Sequence, residues 1–382
     1  MRKTEPNNLT LATPAPPNGA PAPLPVSRNA NLQKRAKAKW ITWHLSKELY
    51  DLGSNLQKQY KRSMFCGHVI KQTGDKVTSN YCGCRWCIVC NRIRTAKLIN
   101  KYTAHLEQME APAFITCTMP NVIYNTAALR NNISLLNINF RKIFDLCRKY
   151  GIKFKGFRKV EVTYNAERKN FHPHVHLISD GHVNLEKLSQ VWTNQGFDEK
   201  LLQKLLHEYH AGKKTKGEIK GALFIQFWLK RYPKASAAAQ DVRPAVAGSL
   251  KELFKYSAKL LTRKRTKNKM QQRKINGVLQ DDTDLEIQVQ ALDKIYSALE
   301  GKRIIQPIGY TRAELKEFTQ LAEGNINADL EAEIIDDVAP AENIYQWTGN
   351  TWTNIITGED LIQYEPGEFE ARIITAFTWD TS

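Results

Sequence analysis

The sequence has no apolar run near the roughly 18 residues that a membrane-spanning helix requires, so no membrane partner is expected. It also lacks the apolar core of a secretory signal: residues 11–25, LATPAPPNGAPAPLP, are too rich in proline to form one. A cytoplasmic protein is expected, and its seven cysteines then point to thiols or a metal site rather than disulfides. Proline is sparse once the chain is under way, since seven of the 15 fall in residues 1–30. That opening has little to bury, so 1–31 reads as a disordered Pro/Ala-rich tail.

Acidic side chains are scarce in most of the chain. Residues 1–280 carry 50 Lys and Arg against 17 Asp and Glu, a net of +33, whereas residues 281–382 carry 21 acidic and 6 basic residues, a net of −15. So basic a body implies a polyanionic partner, nucleic acid first. The acidic region is either a separate module or a competitor for the basic face. A hydrophobic fraction of 42% over 382 residues is enough for one large or two ordinary folded domains.

Where periodicity is strong, it separates helices from strands. Residues 31–63 are basic with apolar positions near helical spacing, among them Trp40, Trp43, Leu45 and Leu49. A cysteine-rich stretch over 66–90 and a further helical stretch, 91–109, follow. AFITCTMPN (113–121) alternates as a strand does, and 133–150 is an amphipathic helix. Residues 154–165 and 171–179 read as two strands joined by the polar turn AERKN, and 184–197 as a helix. ALFIQFW (222–228) and QDVRPA (240–245) are weaker short-strand candidates, and 250–267 is a strong helix pattern. The order implies an α+β fold around an antiparallel sheet. The expected divisions are the tail, a basic helical Cys-rich module at 32–112, a sheet domain at 113–278 and an acidic region at 279–382.

Histidine is scarce too, with nine in the chain, yet three fall within FHPHVHLI (171–178). On a strand His174 and His176 share a face and could clasp one divalent ion, leaving positions open for substrate oxygens. Pro173 suits an edge strand or a strand start. A third ligand is expected from the hairpin partner KVEVTY, whose acid is Glu161; His172 competes for that role, and Glu161 could instead pair with Arg158 or Lys159. In LKELFKYSAKLLTR (250–263), Glu252, Tyr256, Lys259 and Arg263 line one helical face, so a tyrosine has an acid one turn before it and a cation one turn after it. Cys66, Cys82, Cys84, Cys87, Cys90 and His68 offer six candidates for a tetrahedral structural Zn²⁺ site, while Cys117 and Cys147 read as core residues.

Taken in order, AFITCTMPN, FHPHVHLI and ELFKYSAK (252–259) resemble the three motifs of rolling-circle plasmid replication initiators of the Rep_1 type, in the HUH endonuclease superfamily. CGCRWCIVCNRIR (82–94) and ALEGKRIIQPIG (298–309) add to the resemblance, which spans roughly residues 65–310. It implies a metal-dependent endonuclease with the HUH strand in the middle of a central antiparallel sheet, flanked by helices and preceded by a helical zinc-binding module. His174 and His176 would hold Mg²⁺ or Mn²⁺. Tyr256 would attack the scissile phosphate to give a 5′-phosphotyrosine and a free 3′-OH, Glu252 would activate the terminating water, and Lys259 would stabilise the charged phosphoryl group. The matching zinc ligands are Cys66, Cys82, Cys87 and Cys90, with Cys84 an extra thiol. The basic helices beside them, carrying Arg85, Arg92, Arg94 and Lys97, would grip DNA. The implied partners are single-stranded or supercoiled origin DNA and a host helicase and polymerase. Two other readings are an IS91-type HUH transposase, in which a second tyrosine would be typical where Glu252 stands, and a non-catalytic zinc-containing DNA-binding protein.

Overall fold

The computed structural model describes residues 26–74, 76–246, 248–254, 262–263, 274–275, 278–279, 285–323, 343–367 and 377–378. Most of the expected tail therefore lies outside the described residues, as do Tyr256 and Lys259. The chain opens with α1 (Val26–Asp51), α2 (Gln57–Met64), the hairpin β1 (Val69–Thr73) and β2 (Lys76–Ser79), and α3 (Ile88–Glu107). The central elements are β3 (Ala113–Thr118), β4 (Val122–Ile123), α4 (Thr126–Lys149), β5 (Gly156–Asn165) and β6 (Asn170–Ser179). Then come α5 (Leu185–Asn194), α6 (Glu199–His210), α7 (Lys216–Arg231), β7 (Asp241–Pro244) and α8 (Gly248–Phe254). Four short strands follow, β8 (Thr262–Arg263), β9 (Lys274–Ile275), β10 (Val278–Leu279) and β11 (Leu285–Gln288), and then α9 (Val289–Leu299). The chain continues through β12 (Ile305–Ile308), α10 (Arg312–Glu323), β13 (Asn343–Trp347), β14 (Trp352–Asn354) and β15 (Phe377–Thr378).

The central sheet runs β12-β5-β6-β3-β7, with every pairing antiparallel, so the histidine strand β6 is its middle strand. This is the expected α+β architecture. Alternation divides the sheet into two faces. On one, Ile115, Val160, Val162, Val175 and Leu177 join the main core with Leu129, Ile133 and Phe140 of α4 and Ile219 and Leu223 of α7. On the other, Phe114, Phe157 and Ile178 pack under Leu98 and Tyr102 of α3, Leu250, Leu253 and Phe254 of α8, and Phe318 of α10. His174 and His176 share this second face, beyond the helix-covered patch.

Three local expectations are corrected. ALFIQFW is helical within α7, not a strand: Thr215 and Glu218 form a capping box at its start, and almost every residue is buried, which erases the one-sided pattern that marks a surface helix. Of the helix expected over 250–267, residues 250–254 are helical within α8, 255–261 and 264–267 lie outside the described residues, and Thr262–Arg263 is a strand paired with β11; a β-branched threonine among closely spaced cations is a poor helix sequence. Pro173 lies inside the central strand rather than at an edge. Its carbonyl accepts from Met119 N–H at 3.2 Å, so its missing donor faces the gap where β3 gives way to β4 and no ladder bond is lost.

A second sheet, β14-β13-β1-β2, joins the C-terminal part of the chain to the Cys-rich segment. Nearby, Tyr60 Oη and Ser54 Oγ both donate to Asp293 Oδ1 of α9, at 2.7 and 2.6 Å, and Trp86 stacks on Tyr296. No helix among the described residues is long and apolar enough to cross a membrane.

Candidate active site and cysteine centre

The β5–β6 register sets Glu161 opposite His174 and Lys159 opposite His176, all on one face. Glu161 Oε1 lies 3.8 Å from His174 Nε2, and Oε2 lies 3.7 Å from His176 Nε2. The three ligand atoms are all within 4.8 Å of one another, so a single ion could touch all of them. The rings are oriented from behind. His174 Nδ1 is 3.2 Å from the His172 carbonyl, which can only accept, so the proton sits on Nδ1 and the Nε2 lone pair faces Glu161. His176 Nδ1 is 3.1 Å from Thr116 Oγ1 on β3. Burial lowers the pKa of His174, which favours the neutral, ligating ring. Burial also works to raise the Glu161 carboxyl, but the Lys159 ammonium and the two imidazoles outweigh it and hold the group below its ordinary value.

His172, the competitor for third ligand, points elsewhere: its Nδ1 is 2.7 Å from Asn121 Oδ1. Of the two cations offered as partners for Glu161, Arg158 is on the opposite face, bonded to Asn137 Oδ1 and Gln306 Oε1 at 2.7 Å each. Lys159 is the partner, at 3.3 Å. Thr116 was not singled out from sequence, although it occupies an alternating position that shares the histidine face. Glu252 pairs with Arg243 Nη2 at 2.7 Å. Arg243 in turn lies over the Phe114 ring, whose centroid is 5.3 Å from that of His176.

The second cluster is built from two Cys-Gly turns and the start of α3. Cys66, Cys82, Cys87 and Cys90 bring their sulfurs within 4.8 Å of one another. Cys66 to Cys90 is 3.4 Å and Cys82 to Cys90 is 3.6 Å. A tetrahedron with 2.3 Å metal–sulfur bonds has edges of about 3.8 Å, so the donor set fits a closed four-sulfur site. Gly83, at φ +67°, allows the chain to turn so that Cys84 N–H approaches Cys82 Sγ at 3.4 Å. Cys84 is outside the cluster; its thiol faces the Gln59 carbonyl at 3.6 Å. His68 stacks on Trp43 instead. Hydrogen bonds from neighbouring thiols, Cys66 first, push Cys82 well below its ordinary pKa, whereas burial pushes Cys87 well above it. Four sulfurs this close cannot all be anionic without a cation among them. Cys117 and Cys147 are buried core thiols, the latter pushed up by burial to about 12.

The basic residues beside the cluster make contacts within the chain. Arg94 is buried and donates to the Gly83 and Cys84 carbonyls, at 2.7 and 3.4 Å. Arg85 donates to the Lys302 carbonyl at 2.6 Å, Arg92 donates to the Lys34 carbonyl, and Lys97 is half-buried on α3.

The acid and two histidines, on paired antiparallel strands, fall within the part of the chain that resembles a known family. Residues 75–179 match the Rep_1 family, described as replication protein. The chain is thus similar to Rep_1 replication proteins over this segment, about a quarter of its length. The matched segment includes Glu161, His174, His176 and three of the four clustered cysteines, Cys82, Cys87 and Cys90; it excludes Cys66 and stops before α8. A curated protein named Protein rep from Staphylococcus aureus is 31% identical over 150 residues, covering 37% of this chain and 61% of its own length. A second Protein rep, from Streptococcus pneumoniae, is 26% identical over 129 residues, covering 29% of this chain and 40% of its own. The chain thus spans about three fifths and two fifths of the lengths of these relatives. No solved structure matches it.

Proposed function

We propose that this protein is a plasmid rolling-circle replication initiator of the Rep_1 type, an HUH endonuclease that nicks and religates origin DNA through Tyr256. The observation that carries the reading is the shared sheet face. Glu161, His174 and His176 lie on it, and α8, which packs against Phe114, Phe157 and Ile178 of the same face, leads into Tyr256 two residues after its last described turn.

Mg²⁺ or Mn²⁺ held by Glu161, His174 and His176 would polarise the scissile phosphodiester. Tyr256 Oη attacks phosphorus, the bond to the 3′-oxygen breaks, and that oxygen takes up a proton. The 5′-phosphate remains on the tyrosine and the 3′-OH primes a host polymerase behind a host helicase. Lys259 stabilises the charge that builds on the phosphoryl oxygens. Glu252, which is one turn before Tyr256 by sequence, takes the proton of the water that ends the round. A structural Zn²⁺ on Cys66, Cys82, Cys87 and Cys90 fixes the N-terminal module. Arg92 and Lys97 meet DNA from there, with Arg85 and Arg94 acting through the turns whose carbonyls they hold.

The test is incubation with single-stranded origin DNA and Mn²⁺, followed by a search for a covalent adduct. Tyr256→Phe should abolish the adduct while changing DNA affinity by well under about 1 kcal/mol, because only a reacting hydroxyl is lost. An adduct that persists in this variant would place the nucleophile elsewhere and sink the assignment.

A further inference from the structure

Lys159 is fully buried, on β5, directly across from His176. A buried ammonium is costly unless a counter-charge is at hand, and here the counter-charge is Glu161, whose Oε2 is 3.3 Å from Lys159 Nζ. That same oxygen is the one facing His176 Nε2 at 3.7 Å, whereas Oε1 faces His174. One carboxylate oxygen is therefore shared between a resident cation and the place a divalent ion would take.

We infer that Lys159 is a positioning residue that acts as a built-in competitor for the metal ion. It holds Glu161 aimed between the two histidines, and it cancels the single negative charge of the ligand set. With neutral imidazoles, the lysine and carboxylate sum to zero, so a bound divalent ion leaves the site with two uncompensated positive charges. Two consequences follow from electrostatics. The ion is held weakly by the protein alone, and a phosphodiester that arrives brings the missing negative charge, so ion and DNA reinforce each other's binding. Replacing the ammonium by an apolar side chain should reverse both.

The inference rests on the metal reading of the Glu161–His174–His176 group, and the experiment separates the two. Mn²⁺ binding to the full-length protein, loaded with zinc, is followed through the spectrum of the free ion, with and without single-stranded DNA. Lys159→Met should bind Mn²⁺ at least about tenfold more tightly than the wild type, with a smaller gain on adding DNA. Lys159→Arg, which keeps the charge, should stay near the wild-type affinity. A merely structural lysine would weaken the site when removed, so unchanged or weaker binding in Lys159→Met overturns the inference. A wild-type protein that takes up no Mn²⁺ at this group overturns the metal reading and the inference with it. If Lys159→Met fails to fold, wild-type protein carrying ¹⁵N at the lysine side chains decides the matter. The ammonium signal that vanishes in Lys159→Arg should shift as Mg²⁺ is added, and a signal that stays still overturns the competition.

Discussion

The two candidate metal groups differ in how they are built. The cysteine cluster is closed: four sulfurs fill a tetrahedron, and the chain that supplies them runs only from Cys66 to Cys90. The histidine group is smaller: three ligand atoms come from two paired strands, fewer than a divalent ion commonly takes, and a lysine stands beside one of them. A closed set has no vacancy for substrate and serves to hold the chain together; an open set on a rigid sheet leaves room for chemistry. Loss of a ligand should therefore have opposite consequences at the two places.

The largest effect is expected at the cysteines. Cys90→Ser, or a strong chelator, should unfold the segment around residues 60–100, because a structural zinc site commonly contributes on the order of 10 kcal/mol to the fold that creates it. Limited proteolysis would show new cleavage there, the melting temperature would fall sharply, and metal analysis should find about one zinc per chain before treatment. A chain that melts unchanged and contains no zinc would end the structural-zinc reading.

At the histidines the balance is reversed. His174→Ala or His176→Ala should cut metal-dependent nicking by about a hundredfold or more. Their cost in stability should stay near 1–2 kcal/mol, since each ring contributes little to the apolar core. Nicking assays with a Mn²⁺ titration, set beside thermal melts, measure both quantities. Unfolding of the single variants would make these histidines structural and remove the contrast with the cysteines.

Glu252 offers a subtler test, because it pairs with Arg243 at a partly exposed position, where an ion pair alone contributes little. Glu252→Gln should nick at a near-normal initial rate but accumulate over-long single-stranded products, visible on denaturing gels. Unit-length products would leave Glu252 as a surface partner of Arg243. An equal loss of nicking and termination would instead make it the base for Tyr256.

The smallest effect is a pH dependence of stability. His174 has a lowered pKa in the folded chain, so the unfolded state takes its proton first and stability is lost as pH falls below about 6.5. Glu161 is also held low, so its contribution is fully present above about pH 4.3 and is lost as pH falls through its folded value. Melting curves between pH 7 and pH 3 should show both losses in the wild type, and Glu161→Gln should flatten the lower one. A lower limb that stays unchanged in Glu161→Gln would show that the carboxylate is not held by Lys159 and the histidines.

The sequence by itself determined what depends on neighbours along the chain. Alternation in AFITCTMPN and FHPHVHLI marks strands whatever surrounds them, His174 and His176 share a face because strand periodicity is two, and the C-x-x-C spacing of Cys87 and Cys90 brings two sulfurs together at a helix start. Tertiary structure decided the choices among residues of the same type. Register across β5 and β6 selected Glu161 over His172 as the third member of the histidine group, and Lys159 over Arg158 as its partner. A glycine turn selected Cys82 over Cys84. Burial on all sides made ALFIQFW a helix, although its apolar run fits a buried strand equally well. The physical reason is common to all of these. Local periodicity fixes the direction in which a side chain leaves its own element, but a metal group, a buried ion pair and a core helix depend on what stands opposite, and that is set by pairing and packing between segments far apart in the chain.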